Sequence, residues 1–253
     1  MDDVVRALAD QQAELADVIS GRTEAELAQP TRCPGWTATD VLLHLAQTNE
    51  AAVASVEGRL EGFDLGGAGA TRDDGDVDDL AGAAVAAERH LPPAAVRERW
   101  ALSATAQLAA FRAADPHTRV QWVAGTMAAR TLASTRLSES WIHTVDVASA
   151  VGVVPAPTDR LWHVARLAWR TVPYAFARAG RELHGPVSFH LVAPDGGQWR
   201  FDPPEGAPAR TVVRGIAADL CEVAGQRADA GTTSLTAEGP DATDVLVLVR
   251  TFA

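Results

Sequence analysis

The hydrophobic period of this chain changes partway along, and the change divides what it can fold into. Up to about Val151, apolar side chains recur at three- and four-residue spacing; beyond Pro186 they alternate. The first pattern builds amphipathic helices and the second builds strands. Val4, Val5, Leu8, Leu15, Val18 and Ile19 form one helical stripe, closed by Gly21. Thr31-Arg32-Cys33-Pro34-Gly35-Trp36 reads as a turn, and Thr37 with Asp40 three residues later is a capping-box variant. A helix is therefore expected from there to about Val56. Further helices are expected over Asp79 to His90, Ala94 to Ala114 after the Pro92-Pro93 break, and Thr126 to Val151, stopped by Gly152 and Pro155. Val120 to Val123 reads as short and extended. Four long helices with short or disordered connections suggest an up-down four-helix bundle.

Asp159 to Gly180 is apolar and helical, with Pro173 a point of kinking. Val187 to Val192 alternates, Asp195-Gly196-Gly197 is a turn, and Trp199-Arg200-Phe201 begins a second strand, which makes a hairpin. Arg210 to Val213 reads as a third strand, Gly215 to Gly225 as a helix, Thr233 to Ala237 as a short strand, and Asp241 to Thr251 as a last helix. The expected fold class is α+β: a helical bundle over 1–155, then a small α+β domain over 156–253.

Composition removes several functions. A formal charge of −11 argues against nucleic acid as a partner, because phosphate binding needs clustered cationic surface. Five aspartates lie between Arg72 and Asp79, downstream of Gly66, Gly67 and Gly69; this run reads as a solvated loop rather than a calcium site. The chain contains no lysine, which excludes Schiff-base catalysis, covalent pyridoxal phosphate and a phosphate-loop lysine. Cys33 and Cys221 are the only cysteines, too few for a disulfide framework or a cysteine-rich zinc site. The N-terminus lacks the order of a signal peptide, and no apolar stretch approaches a membrane span. A cytoplasmic location with no membrane partner is expected.

The chemistry-bearing residues lie on one predicted helix face: Arg136, Glu139, His143 and Asp146. Glu139 and His143, four apart, point toward a common place and can supply two ligands to a divalent metal. His44, among leucines on another helix, can supply the third. Three N/O ligands with an open fourth position describe a catalytic site better than a structural one. Arg136 and Asp146 could orient those ligands from outside. The plain alternatives are an ordinary intrahelical pair and a satisfied core histidine, and spacing alone leaves them open. Asp40, one turn before His44, could close the coordination sphere. Trp36, Trp122 and Trp141 read as core. Nothing marks Cys33 as a nucleophile, no role falls to His90, His117, His163, His184 or His190, and no Gly-x-Ser-x-Gly elbow is present.

Cys33-Pro34-Gly35-Trp36-Thr37 followed by Asp40-Val41-Leu42-Leu43-His44-Leu45, together with Arg136-x-x-Glu139-x-Trp141-x-His143-x-x-Asp146, resembles the mycothiol-dependent maleylpyruvate isomerase family. That family is itself similar to DinB-like bundles, and the resemblance covers nearly the whole chain. It implies a sterol-carrier-like C-terminal domain that contributes to the active-site cleft. It places the metal ligands on His44, Glu139 and His143. Zinc is the first expectation for two imidazoles and a carboxylate, with nickel, iron or manganese as alternatives. The resemblance also implies mycothiol as a thiol cosubstrate and an important arginine facing the metal across the domain interface. That role falls on Arg227, with Gln226 a departure beside it and Arg214 the fallback. Such a guanidinium can hold a substrate carboxylate; the plain alternative is a cation at a helix C-terminus.

The implied function is a metal-dependent isomerase or S-transferase that activates a thiol for addition to an electrophilic small molecule. One alternative is a thiol-independent metal enzyme of secondary metabolism, a cyclase, lyase or hydrolase on the same scaffold. Another is a non-catalytic, lipid-like ligand-binding protein with a structural metal. A monomer or homodimer is expected.

Overall fold

The computed structural model describes residues 1–60, 77–123 and 125–251, and the expected acidic loop lies largely outside them. Helix α1 (Asp2–Ile19) opens with Asp2 and Asp3, which favour a helix N-terminus, and buries the stripe from Val4 to Ile19. A single-turn helix, α2 (Glu24–Leu27), follows; its capping box is Thr23 with Glu26. The capping box of Thr37 and Asp40 starts α3 (Ala38–Val56) as its sequence requires. After α4 (Val77–Glu88), Pro93 starts α5 (Pro93–Ala113), where its missing N–H costs nothing. Strands β1 (Arg119–Trp122) and β2 (Gly125–Ala128) pair antiparallel and lead into α6 (Ala129–Ala150).

Helix α3 packs on α5 and α6, and α1 packs on α6 and α5, so the four long helices form a bundle. Its core is divided along its length. One apolar cluster gathers Leu15, Val18, Leu42, Leu45, Trp100 and Val147. Another gathers Val5, Leu8, Ala52, Phe111, Leu132 and Leu137. Between them each helix contributes buried polar side chains: Gln11 and Gln12, Gln47 and Asn49, Ser103 and Gln107, and Ser138, Glu139, Ser140, His143 and Thr144.

The second unit begins with α7 (Leu161–Arg178), which continues through Pro173. Strands β3 (Val187–Val192), β4 (Gln198–Phe201), β5 (Thr211–Ile216) and β6 (Thr236–Glu238) form one sheet in the order β4-β3-β5-β6. The pair β3–β4 is the expected hairpin, β3–β5 is parallel, and β5–β6 is antiparallel. Helix α8 (Ala217–Ala224) packs on α7 and β5; α9 (Ala242–Leu248) packs on α7, β5 and β6. Trp169 ties helix to sheet, its Nε1 donating to Val187 O at 2.8 Å and its ring stacking on Phe201. The chain is thus α+β, a helical part followed by a sheet-containing one, and it separates into the compact units Met1–Pro155 and Ala156–Ala253.

Several local expectations change. The strand expected over Thr233 to Ala237 is Thr236–Glu238, and the last helix, expected to reach Thr251, ends at Leu248. The helix expected from Thr126 begins at Ala129 because residues 125–128 are held in β2, with Gly125 at φ +102° making the turn. The third strand runs to Ile216, so α8 starts two residues late. Gly215, at φ +148°, is needed there: a Cβ would lie 2.8 Å from Leu235 and 3.1 Å from Ser234 O. Trp36 and Trp141 are half-buried rather than core, whereas Trp122 is buried as expected.

Candidate metal centre

The middle of the bundle carries the candidate site. Glu139 and His143 occupy successive turns of α6, and α3 brings His44 against them. Glu139 Oε2 lies 3.8 Å from His44 Nε2 and 3.5 Å from His143 Nε2. The two imidazoles meet edge to face, 5.0 Å between centroids. All three side chains are buried, and their donor atoms lie within 4.8 Å of one another.

These separations exceed an ordinary hydrogen bond. A tetrahedral ion with bonds of about 2.0–2.1 Å holds its ligand atoms roughly 3.3–3.4 Å apart. The donor set and its spacing therefore fit a divalent cation bound through two imidazoles and a carboxylate. His143 Nδ1 lies 3.0 Å from Asp146 Oδ2, so the Nδ1–H donates outward and Nε2 faces Glu139.

Electrostatics follow from burial and these contacts. Burial pushes His44 below the usual histidine range. Burial would do the same to His143, but its bond to Asp146 and its contacts with Cys33 and Glu139 outweigh it and raise that imidazole well above the range. Burial works to raise Glu139; the facing imidazoles of His143 and His44, with the charges of His143 and Arg136, prevail and hold it far below the carboxylate range. A proton on His143 therefore occupies the place that an ion would take.

Asp40 does not turn to the site. Its carboxylate accepts from Thr37 N and Oγ1 at 2.9 Å each and from Arg89 Nη2 at 3.0 Å. Arg136, read as a ligand-orienting residue, makes no hydrogen bond to a ligand side chain: its Nη2 donates to Thr48 Oγ1 at 2.8 Å, and its Nε has no hydrogen-bond partner among the described residues. It ends a buried chain through all four bundle helices. In that chain Gln12 Nε2 donates to Gln107, Gln107 Nε2 to Asn49 Oδ1, and Arg136 Nη2 weakly to Asn49 Oδ1 at 3.4 Å. Sequence reading missed this layer; its signal was isolated glutamine and asparagine on otherwise apolar stripes. It also missed the neighbours of Cys33, whose Sγ lies 3.2 Å from Asp146 Oδ2 across 113 residues of chain.

Arg227 belongs to the second unit. Its backbone N donates to Glu222 O at 2.8 Å and its Nη1 to Gly225 O at 3.0 Å, which closes the end of α8. With Val223, Gln226, Asp229, Leu246 and Val249 it lines a cavity of about 630 Å³. Gln226 holds φ +58°, a conformation that glycine takes more cheaply at a helix end. Arg214 is exposed on β5, its Nη1 2.7 Å from His190 Nδ1.

The family model for the mycothiol maleylpyruvate isomerase N-terminal domain matches residues 8–148, which contain His44, Glu139 and His143. Two uncharacterised proteins of Mycobacterium tuberculosis, from strains CDC 1551 / Oshkosh and ATCC 25618 / H37Rv, are each 32% identical over 229 residues, covering 89% of this chain and 86% of theirs. Among solved structures, the fold is similar to mycothiol-dependent maleylpyruvate isomerase and to a histidine-to-alanine mutant of it. The TM-scores are 0.62 and 0.63, with 19% identity and 95% of each chain covered.

Proposed function

The chain belongs to the mycothiol maleylpyruvate isomerase family, and from that premise we propose that it is a metal-dependent enzyme of the isomerase or S-transferase class. In this reading His44, Glu139 and His143 hold a divalent cation, zinc first, and mycothiol is the thiol cosubstrate. One observation carries the reading: three buried donors of the right chemistry converge at metal-ligand spacing, and Asp40, the fourth ligand that the sequence offered, is engaged elsewhere.

When bound, the cation supplies positive charge that favours the ionised form of a thiol. Each protein group then has a task. Glu139 brings negative charge that offsets part of the ion's. Asp146 accepts the Nδ1–H of His143 and fixes its orientation. Trp36, 5.1 Å from the His44 ring, limits where that imidazole can turn. Arg227, in the unit that we assign to the substrate cleft, would hold a substrate carboxylate through its guanidinium fork. A thiolate that adds to an activated alkene and leaves after bond rotation isomerises it; one that adds and stays makes a conjugate. The substrate is an electrophilic small molecule.

The test is elemental analysis of wild type and His143→Ala, with mycothiol titrated into each by calorimetry. One equivalent of metal in wild type, lost in the variant, with thiol binding that requires the metal, is the expected result. Metal without thiol binding would shift the assignment to a thiol-independent metal enzyme. A wild type that neither contains nor takes up metal would overturn both.

A further inference from the structure

The turn between α2 and α3 reaches both imidazoles of the proposed metal centre, and its cysteine reaches one of them through a carboxylate. Cys33 Sγ is 3.2 Å from Asp146 Oδ2, the same oxygen that accepts from His143 Nδ1 at 3.0 Å. Trp36, three residues on, lies against His44.

The turn is built to hold the sulfur in place. Cys33 N donates to Thr31 Oγ1 at 3.2 Å and Trp36 N donates to Cys33 O at 3.1 Å. Thr31 N and Oγ1 both donate to Trp36 O at 2.9 Å. Gly35 supplies the positive φ, +76°, that closes it. The sulfur faces a fully buried carboxyl oxygen, which accepts when ionised, so the thiol is placed to donate to it. The 3.0 and 3.2 Å separations are those of hydrogen bonds, and Cys33 Sγ lies 3.9 Å from His143 Nδ1 itself.

Resting on the proposed metal centre, we propose that Cys33 is a positioning residue: its S–H, donated to Asp146, fixes the carboxylate that orients His143 and so sets the affinity of the site for its ion. Partners one step removed from a ligand typically change metal affinity by about 10–100-fold when lost. Cys33→Ala removes the donor. Cys33→Ser keeps a donor on a shorter bond, at a small cost in reach.

The experiment measures zinc affinity by chelator competition, and the visible spectrum of the cobalt-substituted protein, for wild type, Cys33→Ala and Cys33→Ser. Thermal unfolding of the metal-free forms shows whether each is folded. Binding about tenfold or more weaker in Cys33→Ala, with an altered cobalt spectrum and Cys33→Ser recovering most of the affinity, is expected. Cys33→Ala binding within about twofold of wild type, or Cys33→Ser as weak as Cys33→Ala, would overturn the role of the S–H and leave the metal centre standing. A wild type that binds no metal would overturn the centre, and this inference with it.

Discussion

Arg136 and Glu139 stand one turn apart on α6, both buried and oppositely charged, yet among the described residues the guanidinium makes no ion pair. Burial lowers the affinity of Arg136 for its proton, with Glu139 opposing. A buried cation without a contacting anion costs folding energy that a well-packed apolar side chain does not. Its polar neighbours stay engaged without it: Asn49 Oδ1 still accepts from Gln107, and Thr48 Oγ1 still donates to His44 O. Arg136→Met should therefore leave the metal-free protein as stable as wild type or more stable, by up to about 2 kcal/mol in urea unfolding. A loss of about 3 kcal/mol would make the guanidinium a structural keystone instead.

Metal uptake should release protons. In the metal-free protein His143 is raised well above its usual 6.5, whereas His44 is lowered, so at neutral pH the first carries an extra proton and the second does not. An ion binding Nε2 of His143 must displace that proton. About one proton per ion is expected, with apparent affinity rising about tenfold per pH unit until the pH passes the raised value. Calorimetry in buffers of different ionisation enthalpy counts the protons; none released would remove His143 from the ligand set. Stability of the metal-free protein runs the opposite way with pH. The contribution from His143 is complete below about 6.5 and is lost as pH rises through its folded value.

Gln226 is a second measurable cost. At φ +58° it occupies the left-handed position that closes α8, with Gln226 N donating to Val223 O and Arg227 N to Glu222 O. The conformation costs a side-chain-bearing residue about 1–2 kcal/mol, of which glycine returns part as unfolded-state entropy. Gln226→Gly should stabilise the protein by about 0.5–1 kcal/mol, read as a higher midpoint in urea.

Asp241 anchors the approach to the second unit's sheet. Its carboxylate accepts from His184 N at 3.2 Å and from His184 Nδ1 at 2.7 Å, and Thr211 Oγ1 lies at 3.4 Å. Burial works to raise it, but the His184 bonds prevail and hold it below the usual carboxylate value of 3.8. Asp241→Ala should cost about 2–3 kcal/mol at neutral pH. A depressed carboxylate stabilises above its unfolded value and loses that contribution as pH falls through the folded one. The gap between wild type and variant should therefore close below about pH 4. A gap independent of pH would assign the loss to packing.

Much of the bundle is legible in its residues because the signals are local. The Thr37–Asp40 capping box, Pro93 and the apolar stripe of α1 act within a few residues of themselves. The sheet is less so. Strand β2 is four residues long with a glycine at its start, too short for alternation to outweigh the helical pattern that follows, and no local signal pairs β3 with β5 in parallel. The Glu139–His143 pair is visible because a helix brings residues four apart onto one face.

By itself, then, the sequence determined helix faces, caps, hairpin turns and the residue types that can bind a cation, since each depends on neighbours along the chain. Only the tertiary structure decided which buried groups meet. It set His44 beside Glu139, gave Arg136 to Thr48 rather than to a ligand, drew a polar layer across four helices, and brought Cys33 to Asp146. Such contacts join residues tens to more than a hundred positions apart. Their free energy comes from desolvated side chains finding partners in a packed core, which no local propensity encodes.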